Sequence, residues 1–492
     1  MVTIFSIRVS AELPDLGSSA ARELSVESEK ILGSKIFNRL ARAEVIFNDD
    51  EATDYLSIEV KKIIKKAIEN NYISGDAVNL INNFDIFLIK DPMLNAFALP
   101  GGKIGVHTGL FLNVGSEGEL MSVLSHELAH ITQKHIARMF VQRKESSALM
   151  IATAILSAMA ASSSNSDAAF GLMALGQGIA NQKRLVFSKS AENEADRVGL
   201  KFLTSAGFKP THMVSMLERL NFANMLSGMK PPWFSTHPMS FERIAEIKSR
   251  IPIEEKFPIK TSVRKEFFTL IQARLSNNSD LVNLKEYNKE NIHLSIEMNE
   301  IPIKELYGLF WNLLDRNNYT TANQIIIKLK KNLEYSKNKI RLKPMIALAE
   351  ANLMNAMNEF KKTTKIIDNV LPLRQEHPSE RALMKLKLKA LVNLNKLFLA
   401  EKIAKKIIQK WPNDFSVWAS RALIADKKGL RAKAHIYTAE KYIAMGDLRL
   451  AIEQLHLARE SNQLDFISLS KVDSKLNEIR ASIKENLKFN LQ

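Results

Sequence analysis

Ten residues, Leu124 to Gln133, constrain this chain more than any other stretch. They read Leu-Ser-His-Glu-Leu-Ala-His-Ile-Thr-Gln, with His126 and His130 four apart. On a helix that spacing stacks two side chains on one face, and Glu127 sits about 100° round the axis. Two imidazoles so placed hold a zinc ion, and a glutamate beside them handles the proton of an attacking water. Histidine supplies only 10 of 492 residues, so chance should give H-E-x-x-H in on the order of one such chain in a hundred. Leu120, Met121, Val123, Leu124, Leu128, Ala129 and Ile131 surround the motif, the pattern of a helix wrapped in core.

The chain before the motif reads as α followed by β. Ile31, Ile36, Phe37, Leu40 and Ala41, then Leu56, Ile58, Val60, Ile63, Ile64 and Ile68, recur at helical spacings, with Asp49-Asp50 breaking the runs and capping the second. The period then falls to two. Phe84–Ile89, Asn95–Leu99 and Lys103–His107 read as strands, the last two joined by a Pro100-Gly101-Gly102 turn. A small sheet thus arrives directly before the zinc helix. Its edge is suited to bind an extended peptide as an added strand, with the scissile carbonyl over the metal.

A catalytic zinc takes three protein ligands. The chain has no cysteine, so no thiolate is available and disulfides are excluded. Ser190 to Asp196 opens a helical run through Val198, Leu200, Phe202 and Leu203. Glu192 and Asp196 share a face and Glu194 points roughly opposite. Spacing leaves both Glu192 and Glu194 open as the third ligand. A face with two carboxylates suits a ligand plus an acceptor for a ligand histidine. His135 is expected on another face, packed or facing solvent, and His107 has no ligand spacing.

The length gives room for two or three domains, and 46% hydrophobic with 25% charged residues is the composition of a globular protein. The net charge of +16 is uneven: residues 1–300 hold 34 basic and 34 acidic side chains, residues 301–492 hold 35 and 19. Two halves with different partners are implied. From Ile301 the pattern is helical almost to the end, and Pro344, Pro378 and Pro412 recur every 34 residues, the tetratricopeptide period. Ala439, Tyr442, Gly446, Ala451, Leu455 and Ala458 fit the clearest repeat. Stacked helix pairs of this kind form a curved solenoid. The basic half has no aromatic interleaving or motif for nucleic acid, which is excluded as a partner. The domain reading is a tail or incomplete signal peptide over 1–22, a peptidase over 23–252, a linker over 253–300 and a repeat domain over 301–492.

Two segments bear on location. Val2–Ile7 and Val9-Ser10-Ala11 resemble the end of a signal peptide, but the basic start and long apolar core are deficient. Ser147–Ala180 is rich in Ala, Ser, Gly and Met; its 14-residue apolar stretch is too short to span a bilayer, where about 20 are needed. It suits covering a cleft or peripheral contact with a membrane.

These residues together carry a family resemblance. His126-Glu127-Leu128-Ala129-His130 followed by Glu192-Asn193-Glu194-Ala195-Asp196 resembles the zinc metallopeptidases of the CAAX prenyl protease and HtpX group. Asn95–Ala98, Pro100-Gly101-Gly102, Thr236-His237-Pro238 and Arg243-Ile244 are similar to that group's edge strand and loop. Members with a tetratricopeptide domain behind the peptidase are the most similar, the likeness being densest over 84–245.

The resemblance implies a mainly α chain: an α+β zincin-type domain with a small β-sheet, then an α-helical tetratricopeptide solenoid. It implies Zn2+ held by His126, His130 and Glu192, with Glu127 as general base and Asp196 orienting a ligand histidine. His237 is implied at the active-site mouth, steadying the oxyanion or occupying the open metal position, with Arg243 in the same catalytic group. A membrane-embedded prenyl protease is excluded for want of spans. The implied function is a periplasmic zinc endopeptidase for quality control of outer-membrane β-barrel proteins. Its partners would be unfolded or misassembled outer-membrane proteins and, through the repeats, the β-barrel assembly machinery. The alternative is a chaperone or adaptor with a latent peptidase.

Overall fold

The computed structural model describes residues 25–81, 84–138, 188–227, 237, 241–251, 265–278 and 301–491. The tail over 1–22, the apolar segment 147–180 and the loop residues Pro231–Trp233, Thr236 and Pro238 lie outside the described residues.

Two amphipathic helices open the fold. Helix α1 (Val26–Arg42) is capped by Ser25, and α2 (Asp50–Glu69) by Asp49, whose carboxylate accepts the Ala52 N–H at 2.8 Å. An oxygen at the N-cap satisfies an otherwise orphaned amide and typically contributes about 1 kcal/mol. Between them the chain forms a short strand, β1 (Ile46–Phe47), which the helical pattern on either side concealed. A short helix α3 (Asp76–Ile81) leads into β2 (Asp85–Ile89), β3 (Ala96–Leu99) and β4 (Lys103–His107).

The sheet order is β1-β2-β4-β3, so β3 is an edge. β2 pairs parallel with β4, and β3 pairs antiparallel with β4 through the Pro100–Gly102 turn. Gly101 sits there at φ 75°, in the left-handed region that glycine adopts without penalty. Side chains alternate between two apolar environments. Ile86, Leu88, Ala96, Ile104 and Val106 join the main core, whereas Phe87, Ile89, Phe97 and Leu99 pack under Leu32, Ile36 and Leu40 of α1.

The chain continues through α4 (Thr108–Asn113) into α5 (Glu117–Thr132), which carries the two motif histidines and is buried along its whole length. Helices α6 (Lys189–Ser205) and α7 (Thr211–Ser227) pack against it, and α8 (Phe241–Ser249) packs on both of them.

The interval read as a linker contains α9 (Lys265–Ser276), and this helix is core. Phe268 meets Phe111 and Tyr55 at ring separations of 5.5 and 6.5 Å. Arg274 donates to Asp49 at 2.8 Å and lies 3.3 Å from Glu51. The same apolar cluster runs on through α10 (Ile303–Asp315), α11 (Tyr319–Glu334) and α12 (Lys339–Ala356), reaching Leu353.

Further helices follow: α13 (Phe360–Asp368), α14 (Glu380–Asn393), α15 (Leu397–Lys410), α16 (Phe415–Lys427), α17 (Arg431–Ala444), α18 (Leu448–Glu460) and α19 (Phe466–Leu491). Most successive helices are joined by short turns and fold back on one another. Asn317, Asn358, Asn395, Gly429, Gly446 and Asn462 adopt positive φ in those turns, which ends each helix and reverses the chain. Among the described residues no helix is long and apolar enough to cross a membrane.

This packing predicts where the chain can be cut. A fragment ending at residue 252 uncovers Tyr55 and Phe111 and leaves buried Asp49 and Glu51 without Arg274, whereas one ending at 357 keeps the whole apolar cluster. Size-exclusion chromatography and thermal melts should show the shorter fragment aggregated and the longer one monomeric and cooperative. A well-folded, monomeric 252-residue fragment would contradict this account of the core.

Candidate metal centre and active site

Helix α5 begins at Ser116, whose hydroxyl accepts the Glu119 N–H at 3.2 Å, and its burial fixes the directions of His126, Glu127 and His130. Helix α6 lies against it because Gly199 permits the approach. A Cβ there would stand 3.0 Å from the Ser125 carbonyl oxygen and 3.1 Å from His126 Cα. This contact brings the face with Glu192 and Asp196 onto the motif histidines, and His237 comes from between α7 and α8.

His126, His130, Glu192 and His237 are all buried, each with one ligand atom within 4.8 Å of the others. His126 Nε2 lies 3.0 Å from His130 Nε2, 3.4 Å from His237 Nδ1 and 3.5 Å from Glu192 Oε2. Glu192 Oε1 is 3.4 Å from His130 Nε2 and 2.9 Å from His237 Nδ1. Tetrahedral zinc with bonds of about 2.0–2.1 Å sets its donors roughly 3.3–3.4 Å apart. Most of these contacts are near that spacing, and one donor atom from each of the four residues lies within 4.8 Å of the others, a group that could hold a metal ion.

Electrostatics lead to the same fit. Burial opposes charge on Glu192, yet His237 and hydrogen bonds from His126 and His130 hold its carboxyl well below the usual range. Burial also opposes charge on Asp196, which the Arg243 guanidinium nonetheless holds down. Burial works against a proton on His126, but Asp196 and Glu192 hold its pKa up to about 10, while burial pushes His130 well below the ordinary imidazole value. Ionised carboxylates in a buried site call for cations beside them; Arg243 supplies one, and the imidazole side is the place for a metal.

Each residue singled out in the sequence can now be located. Glu127 is fully buried; its Oε2 accepts the Ala98 N–H of β3 at 3.0 Å and its Oε1 lies 3.6 Å from His237 Nε2. Burial pushes its carboxyl up, against the pull of His237 and His126, which suits a group that must accept a proton. Asp196 Oδ1 is 3.0 Å from His126 Nδ1. Arg243, only 1% exposed, donates to Asp196 at 2.7 and 2.8 Å and lies 2.7 Å from Glu192 Oε2. It contacts the donor cluster through Glu192 and holds that carboxylate together with Asp196. Of the two open glutamates, Glu192 joins the cluster and Glu194 does not.

His135 is packed, one of the two expected outcomes, but against His130 and not on another face. Its Nδ1 lies 2.9 Å from His130 Nδ1. Face arithmetic fails because α5 has ended: Lys134 adopts φ 53° and turns the chain back. The Ala98 amide was equally invisible, since backbone donors leave no residue-type signal.

The sequence matches the model for peptidase family M48 over residues 57–251. It is 33% identical over 244 residues to the putative beta-barrel assembly-enhancing protease of Vibrio cholerae, covering 49% of this chain and 47% of that one. The chain thus spans about half the length of that relative. Similarity to the beta-barrel assembly-enhancing protease of Escherichia coli K12 is 26% over 485 residues, 95% of this chain and 91% of the relative. Metalloprotease LoiP of the same organism is 30% identical over 188 residues, 38% of this chain and 68% of LoiP.

Arg243 and Asp196 should behave as one unit. Arg243→Ala is expected to cost about 3–5 kcal/mol in denaturant unfolding, because buried carboxylates lose their cation. The Arg243→Ala/Asp196→Ala pair should cost well under the sum of the single changes. Simple additivity would show that the two do not share a network.

Proposed function

The chain belongs to peptidase family M48, and from that premise we propose that it is a zinc endopeptidase of the periplasm, acting on unfolded or misassembled outer-membrane β-barrel proteins. The observation that carries the activity is the buried His126–His130–Glu192–His237 group beside Glu127, directly under the edge strand β3. The substrate class rests on likeness to the beta-barrel assembly-enhancing proteases, matched over most of their length. Docking to an assembly machine is assigned to the basic helix pairs beyond residue 301, whose composition favours an acidic partner.

In this reading His126, His130 and Glu192 hold zinc, which when bound lowers the pKa of a water toward about 7 and polarises the scissile carbonyl. Glu127 takes the proton of the attacking water and passes it to the departing amine. The Ala98 N–H holds Glu127 in place, so the strand that receives the peptide also aligns the base. Asp196 orients His126, and Arg243 keeps Asp196 and Glu192 ionised in the interior. His237 would act as a gate: it would supply a fourth donor to a bound metal at rest, and the enzyme would be latent until His237 is withdrawn. Latency suits a protease that shares its compartment with unfolded proteins.

Gate and oxyanion donor differ in sign. His237→Ala should raise basal cleavage of casein while zinc content stays close to one per chain. Loss of a transition-state donor would instead lower the rate about 10²–10³-fold. Glu127→Gln sets the inactive baseline, and a fall of His237→Ala toward it would rule out the gate.

A further inference from the structure

The two motif histidines are supported in different ways. His126 turns its second nitrogen to a carboxylate, Asp196 Oδ1, at 3.0 Å. His130 turns its second nitrogen, Nδ1, to another imidazole, His135 Nδ1, at 2.9 Å. The far nitrogen of that ring, Nε2, is 2.9 Å from Glu194 Oε2. Glu194 also accepts from Arg138 Nη2 at 3.3 Å, and Arg138 is held by the Gln133 carbonyl at 2.6 Å. His135 is 4% exposed, while the Glu194 side chain is 30% exposed, so the chain of bonds runs from the ligand cluster outward.

Reading His130 as a zinc ligand assigns the protons along this chain. A nitrogen–nitrogen hydrogen bond carries one proton and needs one lone pair. His130 offers its Nε2 lone pair to the ligand cluster, so its proton sits on Nδ1 and is donated. His135 Nδ1 must then be the acceptor, which places the proton of a neutral His135 on Nε2. The Glu194 carboxylate, 2.9 Å away, faces that N–H and can only accept. Each bond selects the tautomer required by the next.

We propose that His135 and Glu194 are positioning residues of the zinc site: His135 fixes the tautomer and ring orientation of His130, and Glu194 fixes His135. The proposal rests on the reading of His130 as a zinc ligand. Its local basis is the end of α5, where Gln133 caps the helix and Lys134 at φ 53° turns His135 back over His130. Partners of this kind fix a ligand imidazole and raise its basicity, and their loss typically weakens metal binding by about 10–100-fold. An imidazole acceptor alone is a weaker support than a carboxylate. The carboxylate of Glu194 at the far end, hydrogen-bonded to His135 at 2.9 Å and to Arg138 at 3.3 Å, compensates for that.

The test is zinc affinity of the full-length chain by competition with a chelator, read beside the melting temperature of the metal-free form. His135→Phe fills the ring's place without an acceptor and should weaken zinc binding about 10–100-fold. His135→Asn presents its Oδ1 where Nδ1 stood and should recover most of that loss, a rescue that mere packing would not give. Glu194→Gln, at a half-exposed site, should fold normally and weaken zinc binding less than His135→Phe, so it carries the test if the phenylalanine variant does not fold. Wild-type affinity in both His135→Phe and Glu194→Gln would overturn the proposal. So would an affinity loss in His135→Asn equal to that in His135→Phe. A wild-type chain that binds no zinc, or a His126→Ala variant that binds it normally, would overturn the ligand assignment itself, a distinct failure.

Discussion

A carboxylate stays ionised in a protein interior only if a cation stands beside it, and the active-site half of this molecule is arranged around that requirement. Glu192 and Asp196 are buried, and among the described residues Arg243 pairs with both. One guanidinium cannot balance two carboxylates and Glu127 as well. The remaining negative charge faces the imidazoles of His126, His130 and His237, where a divalent cation completes the balance. The close approach at Gly199, the burial of α5 and the placement of Arg243 all serve one end: carboxylate oxygens held within a few ångströms of imidazole nitrogens in a dry pocket.

A second, partly buried network joins the peptidase to the helices that follow. The start of α2 presents Asp49, Asp50, Glu51 and Asp54. Arg274 of α9 answers the first and third. Arg381 of α14 pairs with Asp54 at 2.8 Å, and Lys385 lies between Asp50 at 2.8 Å and Asp414 at 3.1 Å. Burial pushes the Asp54 carboxyl up to about 7, even against Arg381. At the far end of the helical half, Arg42 of α1 donates to the Gly446 carbonyl at 3.3 Å. Contacts at two separated points tie the repeat-like helices to α1 and α2, the elements that frame the sheet.

Much of the site was legible because its residues obey helical periodicity. His126, Glu127 and His130 lie within one helix, as do Glu192 and Asp196, so spacing alone placed each set on a face. The three strands before α5 were visible through their period of two, and Asp49 through its capping role. What escaped notice lies where periodicity ends. His135 stands beyond a left-handed residue, β1 has two residues, and α9 is a short apolar run among Asn- and Ser-rich neighbours. The choice between Glu192 and Glu194 required the packing of α6 on α5, which no local pattern encodes.

We propose that the resting site is closed by a fourth protein donor, His237. Zinc K-edge X-ray absorption on the full-length, zinc-loaded chain tests it directly by counting imidazoles around the metal. The account predicts three imidazoles with one carboxylate in the wild type, and two imidazoles with a water oxygen in His237→Ala. Two imidazoles in the wild type, unchanged by the substitution, would contradict it.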